Sequence, residues 1–111
     1  MVHCVYRWTV DRSRLAEHTT GLKVLGEHIR DTHPLVLAVR CWTVMWGDEA
    51  ARPGRIWVES FESMTAYEQS EAEEYTAACD EVWKPVFDTM VPGTMTSAVW
   101  TDAVPEAWFQ R

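Results

Sequence analysis

Two charged side chains and one phenol stand among apolar and aromatic neighbours in this chain: Arg40, Glu59 and Tyr6. Charges in such surroundings are seldom left unpaired, and Arg40 and Glu59 fall on two strands expected to form a hairpin, so an ion pair between them is expected. As chemistry, Arg40 would hold a phenolate or carboxylate, and Glu59 would act as a general base with its pKa raised by burial. Tyr6 would orient a carbonyl or phenol. The structural alternative stays open, with Arg40 and Glu59 as a stabilising bridge and Tyr6 as core.

The four histidines suggest no metal site. His18 falls on the apolar stripe of a helix and reads as a hydrogen-bonded core residue, His28 and His33 lie five apart across a helix end without metal-ligand spacing, and His3 begins a strand. Neither GxGxxG nor a phosphate loop occurs, so no nucleotide cofactor is expected, and the reading requires no other. Cys4, Cys41 and Cys79 are odd in number and widely spaced. They read as reduced, mostly buried thiols of a cytoplasmic protein.

The elements that position these groups must come from 111 residues, enough for one core and too few for two. A net charge of −7 without a basic cluster argues against nucleic-acid or anionic-membrane partners. No run approaches the length of a membrane span, and MVHCVYRWTV is unlike an export signal. Hydrophobic residues at 47% with 24% charged exclude a disordered chain. The seven Trp need a core, an interface or a pocket to hold their faces and their N–H groups.

His3 to Val10 is β-branched and aromatic and reads as a strand, broken by Asp11, Arg12 and Ser13. From Arg14 to about Asp31, Leu15, His18, Leu22, Leu25 and Ile29 recur at helical spacing, and Pro34 closes the segment. Leu35 to Trp46 and Arg55 to Phe61 read as a hairpin joined by GDEAARPG. Ser63 and Thr65 offer N-caps to a second helix reaching about Trp83, with a capping box from Thr65 to Glu68, and Pro85 is expected to end or kink it. The eight acids between Glu59 and Glu81 mostly suit that helix's solvated face. After Pro92 and Gly93, Thr94 to Thr101 reads as the last strand.

The order β-α-β-β-α-β is the ferredoxin-like α+β plan, a four-stranded antiparallel sheet with two helices on one face. Residues 1–104 make the domain and 105–111 a tail, whose Trp108 and Phe109 would pack on the partner or the barrel mouth. Two helices cover one face only, yet the strands are too apolar for the other to meet water, so a homodimer built by facing sheets is expected.

The strand VYRWTV leading into RLAEH, the stretch GRIWVESFESMTAYEQS and the late EVWKPVF resemble the dimeric α/β barrel superfamily, with its antibiotic-biosynthesis monooxygenase-like and NIPSNAP-like domains. The resemblance runs from Val5 to Trp100 and implies a dimeric barrel with a small aromatic or polyketide-like molecule between its sheets. Family activities range over cofactor-independent oxygenation, cyclisation, haem degradation and plain ligand binding. The haem-degrading branch pairs an Asn with a His; the corresponding places here, Tyr6 and the stretch Ala77 to Asp80, hold neither, so haem chemistry is not expected.

Strand parity then selects the residues that line the intersheet space. Leu35, Leu37, Val39 and Cys41 suit the helices, leaving Arg40, Trp42 and Trp46 to the cavity. Ile56 and Val58 likewise leave it Trp57, Glu59 and Phe61. On the first strand polarity favours Arg7 and Thr9, and the resemblance favours Tyr6 and Trp8, which are preferred; Ala98 and Trp100 follow on the last strand. Glu59, Arg40 and Tyr6 are thus the candidate catalytic residues, and Trp8, Trp42, Trp57, Phe61, Trp100 and Arg7 the candidate substrate-binding residues. The expected activity is a cofactor-independent monooxygenase or cyclase on an aromatic or polyketide-like substrate, or else a non-catalytic ligand-binding or accessory barrel.

Overall fold

The computed structural model describes residues 1–44, 53–74 and 77–103. Strand β1 (Val2–Thr9) is followed by a short 3-10 turn (Arg12–Arg14) and helix α1 (Leu15–Thr32). The Asp11 carboxylate caps this entry by accepting from the Ser13 N–H at 3.0 Å. Strands β2 (Ala38–Thr43) and β3 (Gly54–Phe61), helices α2 (Met64–Glu74) and α3 (Ala77–Asp88), and strand β4 (Thr96–Thr101) complete the chain. Strand order is β2-β3-β1-β4, antiparallel throughout. This is the ferredoxin-like α+β fold that the element order predicts. Trp46, the GDEAARPG connector except Pro53 and Gly54, and the tail with Trp108 and Phe109 lie outside the described residues.

Three local expectations change. β2 starts at Ala38 instead of Leu35, because Val36 N–H turns back to the His33 carbonyl before Leu37 N–H reaches Ser60. Helix α3 runs through Pro85 to Asp88 without ending there. Proline removes the N–H that would bond the Glu81 carbonyl, and the helix continues past it. Ser63, not Thr65, caps α2, its hydroxyl accepting from the Ala66 N–H. Gly93 takes φ 77° in the turn before β4, a conformation that favours glycine.

The core lies between the sheet and the helices. Trp8, Val10, Leu25, Ile29, Trp57, Val86 and Met90 form its main cluster, and Val2, Cys4 and Phe61 a second. Helices α1 and α3 meet closely at Gly21, where an added Cβ would stand 3.5 Å from Pro85 and Val86. His18 is completely buried in this layer and, as its place on the stripe predicts, hydrogen-bonded.

Candidate functional site

The pairing register sorts the sheet's side chains onto two faces. Tyr6 lies opposite Trp57, Cys4 opposite Glu59 and Trp8 opposite Arg55, while Val39, Cys41 and Thr43 oppose Glu59, Trp57 and Arg55 from β2. All of these share the face that carries the core, because Trp8 and Trp57 are buried there against α1 and α3.

On this face a cleft of about 720 Å³ opens between α1 and edge strand β2. Leu22, Gly26 and Ile29 line it from the helix, Val39 and Cys41 from β2, and Trp57 from β3. Such a volume suits a drug-sized ligand. A Cβ at Gly26 would lie 3.9 Å from Cη2 of Trp57, an ordinary contact distance, so the indole packs directly beneath this turn of α1.

Behind Trp57 stands a buried polar cluster. The indole Nε1–H of Trp57 donates to Oε2 of Glu59 at 3.0 Å. Glu59 is only 3% exposed, and burial pushes its carboxyl up to about 7, against the lowering effect of that hydrogen bond. Glu71 adds a like charge that raises it further. The Tyr6 and Tyr67 hydroxyls lie beside the Cys4 thiol; burial raises the pKa of both Cys4 and Tyr6, so both are neutral near pH 7. Trp83 of α3 closes the cluster, its ring edge-on to Trp57 at 6.2 Å and tilted to Tyr6 at 6.0 Å.

The expected site residues therefore divide between two faces. Trp57, Glu59 and Phe61, assigned to the open face from parity, point under the helices instead, as do Tyr6 and Trp8. Large aromatic groups fill the depth below α1 and α3, and the smaller Ile56 and Val58 are left to the other side. Phe61 packs edge-on to Tyr67, and Trp8 donates to His18 at 3.0 Å. Arg40, Trp42, Arg7 and Trp100 do lie on the open face, with Ala98, since Arg40 is opposite Val58 and Trp100 opposite His3. The Arg40–Glu59 ion pair is not made: the two side chains are on opposite faces, and Arg40 is exposed. The cleft itself lies on the helix side.

Cys4, Tyr67 and Glu71 were not singled out by sequence, and neither was Arg55. The available signal was the alternation of Arg55, Trp57 and Glu59 with Ile56 and Val58, which puts all three on one face. Among the described residues, no three His, Cys, Asp or Glu side chains are grouped to hold a metal, and no helix is long and apolar enough to cross a membrane.

Solved structures share this architecture over nearly the whole chain. An antibiotic biosynthesis monooxygenase superposes with a TM-score of 0.67 at 15% identity, covering 95% of this chain and 100% of its own. A cofactor-independent oxygenase from Streptomyces nogalater, SnoaB, in a substituted form, gives 0.63 at 16% identity, with 95% and 97% covered. A candidate antibiotic biosynthesis monooxygenase from Caulobacter crescentus gives 0.64 at 17%, with 93% and 89% covered. No protein-family model matches the sequence, and no curated protein matches it. The likeness shows a common fold.

Proposed function

We propose that this chain is a small-molecule enzyme acting on an aromatic or polyketide-like substrate without a bound cofactor, as a monooxygenase or cyclase. One observation carries the reading: Trp57 lines the cleft with its ring and holds Glu59, poised near neutrality, through its N–H. A carboxyl that titrates near the working pH is suited to general-base chemistry. In this reading the Trp57 ring must turn aside to connect cleft and carboxylate, after which Glu59 removes a proton from a phenol or an activated carbon. In an oxygenase of the cofactor-independent kind, the resulting anion reduces dioxygen and the attacked carbon ends as a quinone carbonyl: the substrate gives up two hydrogens and all four electrons, one oxygen atom stays as the C=O, and the other leaves as water.

The same proposal includes a cytoplasmic setting and a second copy against the open sheet face. Trp42 and Trp100 are 49% and 54% exposed there, beside Ile56, Val58 and Ala98. A non-catalytic ligand-binding barrel is the second reading, favoured by the absence of Glu59 from the residues lining the cleft.

A panel of polycyclic phenols tests both. Under the enzyme reading, some members quench Trp fluorescence and consume oxygen or cyclise, and Glu59→Gln stops turnover but not quenching. Quenching without conversion supports the ligand-binding reading. No response to any of the panel defeats both.

A further inference from the structure

A second, smaller pocket, of about 190 Å³, lies at the C-terminal end of α1, and the proposed function makes no use of it. His28, Thr32 and His33 line it from that end, and Ser70 and Glu73 from α2. Five positions along a continuous helix would put the two histidines on different sides, but α1 stops at Thr32, and His33, at φ −121° and ψ 76°, leaves the helical path. The imidazole rings come together as a result, their centres 5.5 Å apart and their planes at 63°.

Hydrogen bonds fix the state of one ring. The Thr32 hydroxyl donates to the His28 carbonyl at 2.7 Å, so it accepts from Nδ1–H of His33, also at 2.7 Å. His33 is thereby held as the neutral Nδ1–H tautomer with its lone pair on Nε2, the arrangement of a metal-ligating histidine oriented through its other nitrogen. Burial, and less strongly the neighbouring His28, lower the pKa of His33 against the opposing effect of Glu73, so little protonation competes for that lone pair near pH 7. Ser70 is only 4% exposed, and its hydroxyl makes no hydrogen bond to any described residue. A buried hydroxyl of this kind, lining a pocket, is left to whatever the pocket holds.

Two imidazoles bound to one tetrahedral zinc ion, with Zn–N of about 2.1 Å, hold their centres roughly 5 Å apart, close to the separation of His28 and His33. Among the described residues no third His, Cys, Asp or Glu stands near enough to join them, so water completes the coordination. The pocket has room for an ion and several waters at ~30 Å³ each. We propose that His28 and His33 bind a divalent transition metal of the zinc class, with Ser70 and Glu73 holding its water ligands, so that the ion ties the end of α1 to α2. His33 and Pro34 line the cleft as well as this pocket, and the ion fixes the wall that the two share. The proposal is independent of the chemistry in the cleft.

Calorimetric titration of the full chain, free of any affinity tag, with zinc chloride tests the proposal. The wild type is expected to take up one zinc ion per chain, and His28→Gln and His33→Gln each to weaken that binding at least tenfold. His3→Gln, which removes a histidine on the open sheet face, and Cys41→Ser, which removes the exposed thiol, should leave the affinity unchanged. Absence of saturable binding by the wild type, retention of full affinity in either pocket variant, or its loss in His3→Gln or Cys41→Ser overturns the assignment. Should a pocket variant fail to fold, the ring-nitrogen resonances of the wild type decide. Those of His28 and His33 should both move when zinc is added, and a stationary signal from either ring overturns the proposal.

Discussion

The indole N–H of Trp8 donates to Nε2 of His18 at 3.0 Å, and Nδ1 of the same ring lies 2.8 Å from the Thr89 hydroxyl. Thr89 directs its own proton to the carbonyls of Pro85 and Val86, so it accepts from His18, whose imidazole is held as the neutral Nδ1–H tautomer. One β1 side chain, α1 and the end of α3 are tied through this ring.

His18 therefore resists protonation. Burial lowers its pKa from 6.5 to about 4, so its contribution to stability is full above pH 6.5 and is lost as pH falls toward 4, by about 3 kcal/mol. The ring proton resonances of His18 should be stationary between pH 7.5 and 5.5 in an NMR titration. A midpoint near 6.5 contradicts the network.

Glu59 behaves in the opposite sense. Its carboxyl is raised from 4.5 to about 7, so the folded state holds the proton more firmly than the unfolded, and stability falls as pH rises from 4.5 to 7, by about 3 kcal/mol. Glu59→Gln mimics the protonated form. Its melting temperature should exceed that of the wild type at pH 8 and approach it at pH 5; a difference independent of pH shows that Glu59 titrates normally.

The open sheet face gives a third expectation. In light scattering at micromolar concentration, the wild type should show twice the 12.8 kDa mass of one chain. Trp42→Glu combined with Trp100→Glu should reduce it to that of a single chain, since both side chains are exposed on this face and removed from the core. A monomeric wild type defeats the expectation.

Gly21→Ala should raise stability by about 0.5–1 kcal/mol through helix propensity, because the added methyl meets Pro85 and Val86 at ordinary contact distance. Gly21→Leu should destabilise by about 1–3 kcal/mol through overpacking. Urea denaturation of the three proteins checks the order.

The element order was legible because hydrophobic period changes sharply along the chain, from strand alternation in VYRWTV to the stripe of Leu15, His18, Leu22, Leu25 and Ile29. Facing was legible on β2, where Val39 and Cys41 alternate with Arg40 and Trp42. It was not legible on β1 and β3, where both faces carry apolar or aromatic groups and hydrophobicity does not rank them. Size does: the depth below α1 and α3 takes the indoles of Trp8 and Trp57, and Trp57 brings Glu59 with it.

The central position of β1 has a consequence for how the chain folds. Residues 2–9 pair with 54–61 on one side and, over residues 2–7, with 96–101 on the other, the latter separated by about ninety positions or more. Contacts of such high order slow folding, because loop-closure entropy is lost before they form. During synthesis, the β4-facing edge of β1 has no strand to pair with until residues 96–101 emerge, and a nascent chain interrupted earlier presents that edge, with its row of free N–H and C=O groups, to other chains.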